Sequence, residues 1–73
     1  MNNNGCVTLM TDFGTRDSFV GIMKGVMLRI SRELRIVDIS HEVPSFQVVS
    51  ASYMLSTYYN WFPPGTAHCA VVD

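Results

Sequence analysis

The sequence has no apolar run long enough to cross a bilayer, no Cys-x-x-Cys pair and no glycine-rich phosphate fingerprint, and Met1-Asn2-Asn3-Asn4-Gly5 lacks the basic and apolar regions of a secretory leader. These absences point to a cytoplasmic protein without a membrane partner. Basic charge is sparse as well. Arg16, Lys24, Arg29, Arg32 and Arg35 are spread along the chain rather than clustered with aromatics, and the formal net charge is -1, so a nucleic-acid surface is not expected. There are two cysteines, Cys6 and Cys69, which read as reduced packing residues. His68-Cys69 does not read as a metal pair, because adjacent strand residues point to opposite faces.

What the chain does have is apolar content: 48% hydrophobic residues and a mean hydropathy of +0.20 in 73 residues. That is too apolar for a disordered segment, yet a domain this small buries only about 60% of the surface its unfolded chain exposes. The expectation is one small α/β unit, residues 1–73, that continues in further chain or further subunits.

Val7-Thr8-Leu9-Met10, Arg35-Ile36-Val37-Asp38-Ile39 and Thr66-Ala67-His68-Cys69-Ala70-Val71-Val72 are short, partly β-branched runs bounded by turn residues, and each predicts a strand. The unbroken apolar character of the second suits a parallel strand covered on both faces. Between them, Phe19, Ile22, Met23, Val26, Met27 and Ile30 recur at helical spacing and predict a helix over about 17–32, with Asp17 as a cap and Gly21 and Gly25 marking close packing on a sheet. Ser45 is a suitable N-cap for a second helix whose inward stripe would be Phe46, Val49, Tyr53, Thr57 and Trp61, with Met54 and Tyr58, ending at Pro63-Pro64-Gly65. The order is βαβαβ, the start of a mainly parallel sheet in a three-layer α/β/α arrangement.

In such a sheet the carboxyl ends of the strands share the ligand-binding edge. Asp12 follows the first strand, His41 the second and Asp73 the third. Asp12 there can hold ribose hydroxyls or a metal, or form an Asx turn or helix cap. His41 can be a hydrogen-bonded structural residue or a catalytic one, Asp38 reads as an acceptor inside its strand, and Phe46 can be either a lid over a base or sugar or ordinary core. Asp12-Phe13-Gly14 is not the kinase triplet, since only eleven residues precede it and the glycine-rich loop and catalytic loop have no room. The turn from Asp12 to Asp17 is acidic where a pyrophosphate needs amides and cations. A carboxylate accepting from two vicinal hydroxyls suits a nucleoside better.

Thr8-Leu9-Met10-Thr11-Asp12-Phe13-Gly14-Thr15-Arg16-Asp17, Val20-Gly21-Ile22-Met23-Lys24-Gly25-Val26, Ile36-Val37-Asp38-Ile39-Ser40-His41-Glu42-Val43-Pro44, Phe62-Pro63-Pro64-Gly65-Thr66-Ala67-His68 and Val71-Val72-Asp73 together resemble the amino-terminal part of the S-adenosylmethionine hydrolases (hydroxide adenosyltransferases), relatives of fluorinase and chlorinase. The resemblance implies an α/β domain followed by a β-barrel domain that this chain stops short of. It further implies a homotrimer with sites between subunits, and hydrolysis of S-adenosylmethionine to adenosine and methionine without cofactor or metal. On this resemblance Asp12 holds the ribose hydroxyls, Asp17 approaches the methionine end and Phe46 forms an aromatic wall. Asp73 is the first member of an Asp-Arg-His set that positions the attacking water, as base or as anchor. The other two members fall outside the sequence, so the 73 residues alone are expected to be inactive. Two other readings stand beside this one: a metal-dependent hydrolase built on Asp12, His41 and Asp73, and a noncatalytic nucleoside-binding or assembly module.

Overall fold

The computed structural model describes residues 4–44 and 47–72. Its elements follow the expected order: β1 (Cys6–Thr11), α1 (Phe19–Ile30), β2 (Arg35–Ser40), α2 (Val48–Tyr58), a 3-10 turn (Tyr59–Trp61) and β3 (Ala67–Val71). The strands form one sheet in the order β2-β1-β3, and both pairings are parallel. This is an α/β arrangement in which β1 takes the centre. Val7, Thr8, Leu9, Met10 and Thr11 are all buried because β1 has a neighbour on either side and residues on both faces.

The β-branched run of β2 predicts a strand covered on both faces. The structure corrects this: among the described residues β2 has a strand neighbour on one side only, and Arg35, Val37 and Asp38 are exposed. β-Branched content reports fitness for a pleated ladder and does not distinguish a central strand from an edge. The β1–β2 ladder also slips once. Leu9 faces Asp38 but Met10 faces Ser40, which leaves Ile39 as an extra residue. In a regular strand, residues three apart point to opposite faces; one extra residue resets that alternation and re-aims the side chains beyond it.

α2 closes one face of the sheet. Met10, Val43, Ala51 and Tyr58 form the core cluster, with Ile39, Met54, Leu55, Phe62 and Val72 packed around it. Tyr58, Phe62 and His68 meet edge to face, with ring centroids 5.8 to 6.3 Å apart, and burial pushes the Tyr58 phenol above its ordinary range. The inward stripe of α2 is therefore Ala51, Met54, Leu55 and Tyr58. Of the expected stripe, Met54 and Tyr58 do face inward, whereas Val49, Tyr53, Thr57 and Trp61 face outward, with Val49 84% and Trp61 85% exposed. Both stripes have helical spacing, and contact with Met10 selects the one with the small Ala51. The first residue before the helix is Gln47, with no side-chain cap; Ser45, the expected cap, and Phe46 lie outside the described residues.

α1 is held differently. No residue in it is buried, and most of its expected inward stripe is exposed: Phe19, Ile22, Val26 and Ile30, the last at 83%. Met23, Lys24 and Met27 are half-buried. The helix begins after Ser18, without a side-chain cap, so Asp17 is not its N-cap. Close packing does not explain Gly21 and Gly25 either, because a Cβ built on each meets nothing within 4 Å. No helix among the described residues is long and apolar enough to cross a membrane.

Glycine inside a helix costs about 1 kcal/mol relative to alanine. Gly21→Ala and Gly25→Ala should each stabilise the chain by up to about 1 kcal/mol in urea unfolding monitored by circular dichroism.

Candidate functional site

The parallel ladders bring the carboxyl ends of β1, β2 and β3 to one edge, and the chain leaves β1 there through the turn Thr11-Asp12-Phe13-Gly14. Gly14 takes a φ of +73°, a backbone conformation that glycine adopts without steric cost. The three amides of the turn are all engaged. Asp12 N–H donates to the Val71 carbonyl (3.2 Å) at the end of β3, Phe13 N–H to Thr11 Oγ1 (3.1 Å), and Gly14 N–H to the His41 carbonyl (2.7 Å). A phosphate-binding turn directs such amides toward its ligand; this one spends them on its own framework. Asp12 itself is half-buried at this edge, and a carboxylate is by its chemistry an acceptor for hydroxyls or a cation.

His41 follows β2 and is buried, with 6% of its surface exposed. Its Nδ1 lies 2.8 Å from Thr11 Oγ1 and its Nε2 2.8 Å from Asp38 Oδ1. The slip in β2 allows two residues three apart to meet on the same side. Asp38 also accepts from Lys24 Nζ of α1 at 2.5 Å. A chain of polar contacts thus runs from α1 through Lys24, Asp38 and His41 to Thr11, beside Asp12. The Lys24 ammonium, and after it His41, hold the Asp38 carboxyl below the usual carboxylate range. With both ring nitrogens engaged, His41 has none left for a cation, which weighs against the metal-hydrolase arrangement. Among the described residues no three His, Cys, Asp or Glu side chains gather as a metal site.

The expected site residues divide. Asp12 stands at the carboxyl edge, where its place after β1 puts it. Asp17 is exposed in the loop before α1, where Phe13 and Phe19 meet edge to face at 6.2 Å. Phe46 and Asp73 lie outside the described residues. Asp38 and His41 are hydrogen-bonded residues, one of the roles their positions suggest. Thr11 and Lys24 join the set only through the structure. The signal for Thr11 is a β-branched hydroxyl immediately before the turn, and for Lys24 a lone cation on an otherwise apolar helix face. Near the same edge, Met10, Val48, Ala51, Leu55, Ala70 and Val72 line a cleft of about 170 Å³. Ligand pockets usually exceed about 300 Å³, so this cleft encloses only part of a nucleoside-sized ligand.

Comparison with known proteins gives a consistent result. Residues 7–73 match the family described as SAM hydroxide adenosyltransferase N-terminal domain. A curated (R)-S-adenosyl-L-methionine hydrolase of Methanocaldococcus jannaschii is 44% identical, over 92% of this chain and 27% of the relative. A fluorinase of Actinoplanes sp. is 34% identical, over 89% of this chain and 22% of the relative. The crystal structure of an uncharacterized conserved protein from Thermotoga maritima superposes with a TM-score of 0.88 at 40% identity, over 92% of this chain and 26% of that one. The chain spans about a quarter of the length of these relatives.

The lowered Asp38 pKa sets a direction for pH dependence. A carboxyl whose folded pKa is depressed adds stability above its ordinary value of about 3.8, and that contribution disappears as pH falls through the lower folded value. In urea titrations, Asp38→Asn should therefore be less stable than the parent near pH 6, with the gap narrowing as pH is taken down through about 4 and below.

Proposed function

Because the chain belongs to the SAM hydroxide adenosyltransferase family, carrying its N-terminal domain, we propose that it forms the nucleoside-holding part of an enzyme that hydrolyses S-adenosylmethionine to adenosine and methionine. The observation that carries this reading is the turn at the end of β1. It places Asp12 at the carboxyl edge of a parallel sheet, while the amides of Asp12, Phe13 and Gly14 bond within the fold. Such a turn suits a ribose diol, whose two hydroxyls can each donate to one carboxylate oxygen.

The reaction is substitution at the ribose 5′ carbon. Water attacks from behind, the carbon–sulfur bond breaks, and methionine leaves as a neutral thioether, so no acid is needed at the leaving group. The protein's work is alignment and desolvation of the water, with a carboxylate to orient it or take its proton. In this reading Asp12 fixes the sugar, Asp73 positions the water, Asp17 meets the methionine end and Phe46 walls the base or sugar. The remaining walls of the site come from chain beyond these residues and from neighbouring subunits of a homotrimer.

The test is chromatographic. The 73 residues alone should release no adenosine from S-adenosylmethionine, and the same chain continued to the family's full length should release adenosine and methionine in equal amounts. Nucleoside binding without products from the full-length protein would instead indicate a noncatalytic module. Asp12→Asn should weaken adenosine binding by about tenfold to a hundredfold in calorimetry, the usual worth of hydrogen bonds to a charged acceptor.

A further inference from the structure

His41 contacts the Asp12 turn twice and in two ways. Its backbone carbonyl accepts from Gly14 N–H (2.7 Å), and its ring Nδ1 pairs with Thr11 Oγ1 (2.8 Å), the same oxygen that accepts from Phe13 N–H (3.1 Å). Asp12 lies between these two anchors. On the opposite side of the ring, Nε2–H donates to Asp38, which Lys24 holds from α1. The neutral ring satisfies every group at once. Nε2 carries the proton toward the carboxylate, Nδ1 accepts the Thr11 hydroxyl proton, and Thr11 Oγ1 remains free to accept from Phe13. No donor or acceptor in this set is duplicated, so the orientation of the ring is determined from both ends.

We propose that His41 is a positioning residue for nucleoside recognition, setting the Asp12 carboxylate through Thr11 and Gly14, with Lys24 and Asp38 fixing the ring. The proposal rests on the reading of Asp12 as the ribose ligand and adds to it a group that braces the backbone on either side of that residue, alongside the bond from Asp12 N–H to the Val71 carbonyl. His41 itself touches neither sugar nor water. Its effect is specific to the diol: displacing Asp12 weakens ligands that donate two hydroxyls more than ligands that donate one. A purely structural role would lower the affinity of both alike.

The probes are adenosine and 2′-deoxyadenosine, titrated calorimetrically into the chain continued to the family's full length and into its variants. The parent should prefer adenosine by about tenfold or more, the usual worth of a hydroxyl on a charged acceptor. His41→Ala and Thr11→Val should reduce that preference to about twofold or less, while Thr11→Ser, which keeps the hydroxyl, should retain it. The Thr11 pair covers the case in which His41→Ala does not fold. In the parent, ¹⁵N spectra should show the Nε2–H tautomer of His41. A parent-like preference in His41→Ala or Thr11→Val, with the preference lost in Asp12→Asn, would overturn this inference and leave the ribose reading intact. An unchanged preference in Asp12→Asn, or none in the parent, would overturn the ribose reading and this inference with it.

Discussion

Parallel pairing of β1 with a strand on each side is the constraint on which the rest of the structure depends. It buries every residue from Val7 to Thr11, and it brings three strand exits to one edge. Burial on this scale leaves two threonine hydroxyls, those of Thr8 and Thr11, that must find partners inside the fold. Each is paired with a histidine ring, Thr8 with His68 and Thr11 with His41. The two pairs do different work: the first sits within the aromatic cluster under α2, the second braces the turn that carries Asp12.

The elements and their order are legible because alternation between short β-branched runs and helical spacing is a local property. The parallel edge comes from the connectivity, and with it the positions of Asp12 and His41. The facing of the helices is legible only in part: Met54 and Tyr58 of α2, and Met23 and Met27 of α1, lie on the inward side as their spacing suggests. In α2, Val49-Tyr53-Thr57 and Ala51-Met54-Leu55-Tyr58 both satisfy a helical period, and the choice between them is made by Met10 and Val43, which are distant in sequence. In α1, the spacing of Phe19, Ile22, Val26 and Ile30 describes an apolar face correctly but says nothing about what packs against it. Gly21 and Gly25 mislead for the same reason, since a glycine's spacing does not show whether anything lies opposite it.

The candidate site is legible in its carboxylates and hidden in its supports. An aspartate after a strand is conspicuous; a threonine before it is ordinary. The polar chain from Lys24 to Thr11 depends on one extra residue in β2, which lets Asp38 and His41 share a side despite their spacing. A register slip of that kind arises from the pairing of two strands and has no signature in either one alone.

The spent amides of the Asp12 turn also bear on what the protein ignores. Most adenine compounds in a cell are polyanions, and loops that capture them do so with unclaimed N–H groups. Here those groups are committed to Val71, Thr11 and His41, and the turn itself carries a carboxylate, Asp12. On the proposed reading, the field of an acidic turn beside the sugar favours a sulfonium-bearing adenosyl ligand over the far more abundant polyanionic nucleotides.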